Sequence, residues 1–204
     1  MSRLNLLGKG QAYSFRSYFE MPYETDEILS EFGVSFVTRE LDLPKADVPR
    51  DVVTTLKSDL KSRLELVRLS SETARRETLV GPILFKVAQL AKIQLRIEYL
   101  LSVNDQLKGK LDYLLQGPQN LLVIEAKNDD LTREFTQLAV ELIALSQWEE
   151  TQKILYGAVT TGDAWVFGRL DVAQQRVEKD ILLYAAPNAL QEIMSILLGI
   201  VTTD

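Results

Sequence analysis

Between the turn residues Gly117-Pro118-Gln119-Asn120 and Asn128 the chain reads Leu121-Leu122-Val123-Ile124-Glu125-Ala126-Lys127, a continuous apolar run that ends in two opposite charges. An apolar run of this length bounded by a turn is a strand covered on both faces. Such a strand belongs in the interior of a sheet with helices on either side, so this segment alone points to a layered α/β architecture. Side chains alternate along a strand, and Glu125 and Lys127 therefore project to one side. The preceding segment, Leu107 to Leu115, reads as its hairpin partner, with Asp112 interrupting the run Leu111-Asp112-Tyr113-Leu114-Leu115.

The flanking sequence supplies the helices and the remaining strands. Ser70-Ser71 caps a helix whose apolar stripe is Leu79, Val80, Ile83, Leu84, Val87, Leu90 and Ala91, and Gly81-Pro82 is expected to kink or split it. Ile93 to Val103 suits a strand, followed by a turn at Asn104-Asp105. Asp129-Asp130 opens a second helix, their carboxylates matching its positive end, with a stripe of Leu131, Phe135, Leu138, Leu142 and Leu145. Ile154 to Thr160, Ala164 to Leu170 and Val177 to Tyr184 read as strands, and Pro187 as a first-turn residue of a last helix reaching Leu198. The expected core is helix, strand hairpin, strand, helix, strand, built on a mixed central sheet flanked by helices. Residues 1–69 form an N-terminal extension packed on the domain of residues 70–204, together one compact unit. Within the extension, 14–19 and 34–37 are β-rich by propensity, and Val52 to Leu69 carries helical spacing.

The chain has no histidine and no cysteine among its 204 residues. That excludes Ser-His-Asp and Cys-His catalysis, His and Cys metal sites, and disulfides. Carboxylates, Lys, Tyr, Ser/Thr and metal-bound water remain, and any bound metal must be a hard, oxygen-liganded ion such as Mg²⁺, Mn²⁺ or Ca²⁺. A hairpin centred near 118–119 sets Asp112 opposite residues 124–126. Only the register that pairs it with Glu125 puts both carboxylates on one face, about 5 Å apart at Cβ. Two such charges repel unless a cation lies between them. The plain alternative is a surface ion pair at a strand end, but the charges interrupt strands that otherwise look interior, where an unpartnered ion is costly.

Other features are quieter. The net charge is −6, which speaks against nonspecific coating of nucleic acid while leaving room for a local basic groove. Basic residues recur from Lys57 to Lys92, but Asp59, Glu65 and Glu72 alternate with them, as on a solvated face. Trp148 and Trp165 read as core or edge-packing residues, and Gly8-Lys9-Gly10 lacks the length and the Ser/Thr of a phosphate loop. With no signal-like start and no run of roughly 18–20 apolar residues, the expectation is a soluble cytoplasmic protein without membrane association.

Gly109-Lys110-Leu111-Asp112-Tyr113 followed by Leu122-Val123-Ile124-Glu125-Ala126-Lys127-Asn128 resembles the signature of PD-(D/E)XK nucleases. The likeness is to the N-terminal nuclease domain of type I restriction-enzyme motor subunits and their stand-alone relatives. Upstream, Ser71-Glu72-Thr73-Ala74-Arg75-Arg76 with Pro82-Ile83-Leu84 is similar to the opening helix of these domains, and Gln137 to a glutamine they carry in the helix after the signature. The resemblance covers about residues 70–160. It departs from the family's name in one respect, since Leu111 rather than proline precedes Asp112.

The resemblance implies a restriction-endonuclease-like fold and hydrolysis of DNA phosphodiesters with Mg²⁺ or Mn²⁺. Asp112, Glu125 and the carbonyl of Ala126 would hold the metal, and Lys127 would polarise the attacking water or the phosphate. Glu72 would be the first-helix carboxylate, with Glu77 as its rival, and Gln137 a further site residue. As a solvated polar residue beside Arg133, Glu134 and Glu141, Gln137 needs no function. The expected partners are DNA, a second copy of the chain, or a subunit of a restriction or defence system. The alternative is a catalytically inactive nuclease-like scaffold.

Overall fold

The computed structural model describes residues 6–8, 10–117, 121–126, 131–149 and 151–203. The elements run α1 (Phe15–Glu20), α2 (Thr25–Ser30), β1 (Ser35–Arg39), α3 (Arg50–Leu66), α4 (Glu72–Arg75) and α5 (Gly81–Ala91). They continue with β2 (Gln94–Ser102), β3 (Lys108–Gln116), β4 (Leu121–Ala126), α6 (Leu131–Trp148), β5 (Ile154–Thr160), β6 (Ala164–Asp171), β7 (Arg176–Asp180), β8 (Tyr184–Ala185) and α7 (Leu190–Thr202). One mixed sheet in the order β1-β7-β6-β5-β4-β3-β2 organises them, with β8 beside β6. Pairing is parallel at β4–β5 and β1–β7 and antiparallel at the other junctions.

An apolar layer covers each face of the sheet. On one side α3, α5 and α7 bury Leu56, Leu60, Ile83, Leu84, Ile193 and Leu197 against Tyr113, Leu115, Leu122 and Ile124. On the other, α1, α2 and α6 bury Phe15, Tyr18, Ile28, Leu29 and Leu138 against Leu114, Val123 and Val159. The even and odd residues of β4 thus serve opposite cores, as its all-apolar composition requires. Helix α6 lies close to the sheet because β5 and β6 present glycines beneath it. A Cβ at Gly157 would come within 2.6 Å of Leu138 Cδ1, and one at Gly168 would collide with the ring of Phe135.

The mixed α/β class and the order of the expected core are as the sequence reading has them, and four local expectations are corrected. Residues 15–20 form a helix rather than a strand: Ser17 Oγ accepts from the Ser14 amide at 3.1 Å, and Phe15 and Tyr18, three apart, are buried together. The helix with Gly81-Pro82 neither splits nor stops. The Gly81 amide donates to the Arg76 carbonyl, five residues back, so Arg76–Val80 forms one wide turn between α4 and α5. This accommodates Pro82, which brings no amide to the ladder. The strand expected at 177–184 is two pieces, β7 and β8, because the Asp180 carboxylate turns the chain by accepting the Leu182 amide at 3.1 Å. Helix α7 begins at Leu190, so Pro187 precedes its first turn. The turn residues 118–120, Asp129-Asp130 and Lys127 lie outside the described residues.

Strand β1 carries the N-terminal segment into the sheet, and an ion cluster fastens it there. Glu178 on β7 is fully buried and accepts from Arg39 on β1 at 3.0 Å, Arg169 on β6 at 2.7 Å and Arg176 at 2.9 Å. Burial pushes its carboxyl up, but the three guanidinium groups outweigh this and hold it below the usual 4.5. A lowered folded-state value means that the stabilisation is complete above about pH 4.5 and is lost as the pH falls from there through the lower value. Glu178→Gln is expected to lower stability by roughly 2–4 kcal/mol at pH 7. The difference from the wild type should shrink as the pH falls below 4.5, as read by urea unfolding across pH.

Candidate functional site

Strands β3 and β4 pair in the register Tyr113–Ile124, Leu114–Val123, Leu115–Leu122. The same register continued by one residue sets Asp112 against Glu125, the alignment that places both carboxylates together. Beyond Tyr113 and Ile124 the strands are joined by side chains. The Asp112 amide donates to Glu125 Oε1 at 3.2 Å, and the Ala126 amide donates to Asp112 Oδ2 at 3.0 Å. Each carboxylate takes a backbone donor of the other strand's end, which holds two like charges side by side with their amides partly neutralising them.

The alternation of β3 shifts at this point. Tyr113 and Leu115 belong to the core under α5 and α7, whereas Leu111 and Leu107 belong to the core under α6. Opposite, Glu98 of β2 sits between the pairs Ile97–Tyr113 and Tyr99–Leu111 with a left-handed backbone, φ 51°. A non-glycine residue there is strained, and such strain gathers at sites where side chains must be re-aimed. Glu98 is aimed at two cations, Lys110 at 3.1 Å and Arg76 at 3.6 Å, and the hydrogen bond and charge of Lys110 draw its carboxyl below the usual range.

Arg76 stands at the head of the wide helical turn. Its Nη1 lies 3.4 Å from Asp112 Oδ1, and its guanidinium sits 5.1 Å from the centre of the Tyr113 ring. Burial works against its charge, yet Tyr113, Asp112 and Glu98 together bind the proton more tightly than usual. Burial raises the Tyr113 hydroxyl in turn, against the pull of Arg76.

Behind the strands lies a polar strip of α6. Gln137 is buried and its Nε2 donates to Glu125 Oε2 and to Glu141 Oε1, each at 2.8 Å. Glu141 is fully buried, and desolvation, with the nearby charge of Glu125, pushes its carboxyl well above the usual range. Among the described residues Gln137 Oε1 and Glu141 Oε2 have no hydrogen-bond donor. The sequence reading that leaves this strip to solvent is overturned: α1 and α2 pack across α6, with Thr25 Oγ1 2.7 Å from Thr136 Oγ1.

These residues open on a cleft of about 480 Å³, lined among others by Glu72, Arg76, Glu98, Lys110, Asp112, Glu125 and Gln137. Of the two first-helix glutamates, Glu72 lines it, while Glu77 is exposed and outside the lining. Asp112, Glu125, Ala126 and Gln137 meet, and Glu72 stands in the cleft wall. Among the described residues no three carboxylates are grouped closely enough to hold a metal ion between them. The oxygen donors that do meet, the carboxylates of Asp112 and Glu125, are hard and fit Mg²⁺ or Mn²⁺. Sequence reasoning missed Arg76, Glu98 and Glu141 as members. Arg76 follows Glu72 by four residues and Glu141 follows Gln137 by four, a spacing that shares a helix face and was the available signal. Glu98 had none, since its place depends on an unusual backbone angle.

Compared with models of known protein families and with curated proteins, the chain matches none. Among the described residues no helix is long and apolar enough to cross a membrane.

Gln137→Leu, which keeps the volume and removes the amide that bridges Glu125 and Glu141, is expected to lower stability by about 1–3 kcal/mol in urea unfolding at pH 7. Adding Glu141→Gln to that variant should recover part of the loss, because its carboxamide can donate to Glu125 in place of the lost Gln137 amide.

Proposed function

We propose that the protein is a divalent-metal-dependent phosphodiesterase acting on DNA, of the restriction-endonuclease-like kind. The observation that carries the reading is the clasp of Asp112 and Glu125 at the diverging ends of two interior strands, open to a cleft and backed by buried oxygens. Two carboxylates held side by side at the edge of a hydrophobic core are poor for stability and well suited to a cation.

When bound, Mg²⁺ or Mn²⁺ supplies an activated water and neutralises charge on the phosphate. The chain's own residues supply the rest. Asp112, Glu125 and the carbonyl of Ala126 hold the ion, and Gln137 fixes the rotamer of Glu125 through its 2.8 Å hydrogen bond. Lys127, on the sequence reading, orients the nucleophile or the scissile phosphate. Glu72 faces the cleft as support. Arg16 and Lys110 line the cleft, paired with Glu20 and Glu98 at 3.1 Å each, and are the exposed cations that a backbone phosphate would draw from those partners. One such site cuts one strand, so cleavage of both strands calls for a second copy or a partner subunit.

A second reading, a catalytically silent scaffold or DNA-binding module, draws on Arg76, which supplies within the chain the positive charge that Asp112 would otherwise take from a metal.

Incubation of supercoiled and linear DNA with the protein and Mg²⁺ or Mn²⁺ is expected to yield nicks or breaks. Asp112→Asn and Lys127→Ala should each reduce the rate at least about 100-fold. Cleavage that persists in both variants rejects the assignment, and metal binding without any cleavage favours the silent module.

A further inference from the structure

Arg76 is held in a way that permits it to leave. One nitrogen, Nη1, serves both acids, at 3.4 Å from Asp112 Oδ1 and 3.6 Å from Glu98 Oε1. Strong guanidinium–carboxylate pairs are bidentate and close to 2.7–2.9 Å, so both contacts are loose. The firmer seat is the Tyr113 ring, over which the guanidinium lies, and that seat does not depend on Asp112. Glu98, half exposed at the cleft edge, remains available when Asp112 is not. Asp112 is divided as well: Oδ2 is committed to the Ala126 amide, and Oδ1, the oxygen facing Arg76, is the one free to change partners.

We infer that Arg76 is an exchangeable counter-ion for Asp112: it neutralises the carboxylate while no divalent cation is present and yields Oδ1, keeping Tyr113 and Glu98, when one binds. The inference rests on the metal-dependent reading above. A guanidinium and a doubly charged ion competing for one carboxylate repel one another at a few ångströms. The chain thereby raises the cation concentration at which the site fills. The wide turn at Arg76–Val80 is part of the device, because it sets the residue at the head of the turn over the cleft while Leu79 and Val80 stay in the core.

The test is calorimetric titration of the full chain with Mn²⁺ alone. Arg76→Gln is expected to bind Mn²⁺ about tenfold more tightly than the wild type, within the usual 5–150-fold range of coupled sites. Arg76→Lys, which keeps the charge but not the reach or the stacking plane, should bind a few-fold more tightly, and it carries the test should Arg76→Gln fail to fold. Asp112→Asn in either background should abolish the binding. Unchanged or weaker affinity in the Arg76 variants overturns the exchange, as does absence of Mn²⁺ binding in both wild type and variant. DNA cleavage without tighter binding in the variants rejects the exchange and leaves the nuclease reading standing. Tighter binding without cleavage does the reverse.

Discussion

The site depends on a crossed pair of hydrogen bonds in which Asp112 and Glu125 each accept an amide from the other strand's end. In a regular antiparallel ladder those amides would bond to carbonyls and the side chains would project freely. Here the backbone donors are spent on carboxylates, and the two strands diverge at the point where the ladder hands over to side chains. The divergence creates the cleft, and the amides make the proximity of two negative charges tolerable. Arg76 and Gln137 complete the compensation from opposite sides of the sheet, one from the helix with the wide turn and the other from α6.

Placement of that clasp follows from how the sheet is covered. Strand β4 is apolar to both faces because a helical layer lies on each, so its charged end is where the core stops. Helix α6 is itself enclosed by α1 and α2, which turns an ordinary polar stripe into a buried oxygen-rich strip behind Glu125. The cluster around Glu178, at the other end of the sheet, is built on the opposite principle: three cations surround one acid, whose charge is more than compensated within the chain. One buried acid is over-satisfied and structural, whereas Glu141 is under-satisfied and lies beside the cleft.

Much of the architecture was legible because periodicity reports burial directly. The run at 121–124, the seven residues of β5 and the stripe of α6 announce their elements, and the hairpin centre narrows the partner of Asp112 to residues 124–126, the pairing of Tyr113 with Ile124 then selecting Glu125. Residues whose structure is decided by tertiary partners were not legible. The segment 15–20 has aromatic, strand-like composition, yet it is a helix because Phe15 and Tyr18 need one face against α6. The polar strip of α6 reads as solvated until α1 and α2 are known to cover it, since a helical pattern shows which residues are polar and not what lies above them. Arg76 was visible as a basic residue four positions after Glu72, but its role was not, because Glu98, Asp112 and Tyr113 lie on strands that only the tertiary fold brings beside it.

That wide turn has a further consequence. The segments on either side of it answer to different demands, α5 to interdigitation with α7 and α4 to the cleft rim, and the five-residue backbone bond lets each be phased separately. Loss of one residue between 76 and 80 would restore an unbroken spiral and swing Glu72 and its neighbours about a quarter-turn around the axis. The inserted residue therefore works as a rotational spacer, and the reach of the rim can drift by single-residue insertion or deletion while the interior below it is left undisturbed.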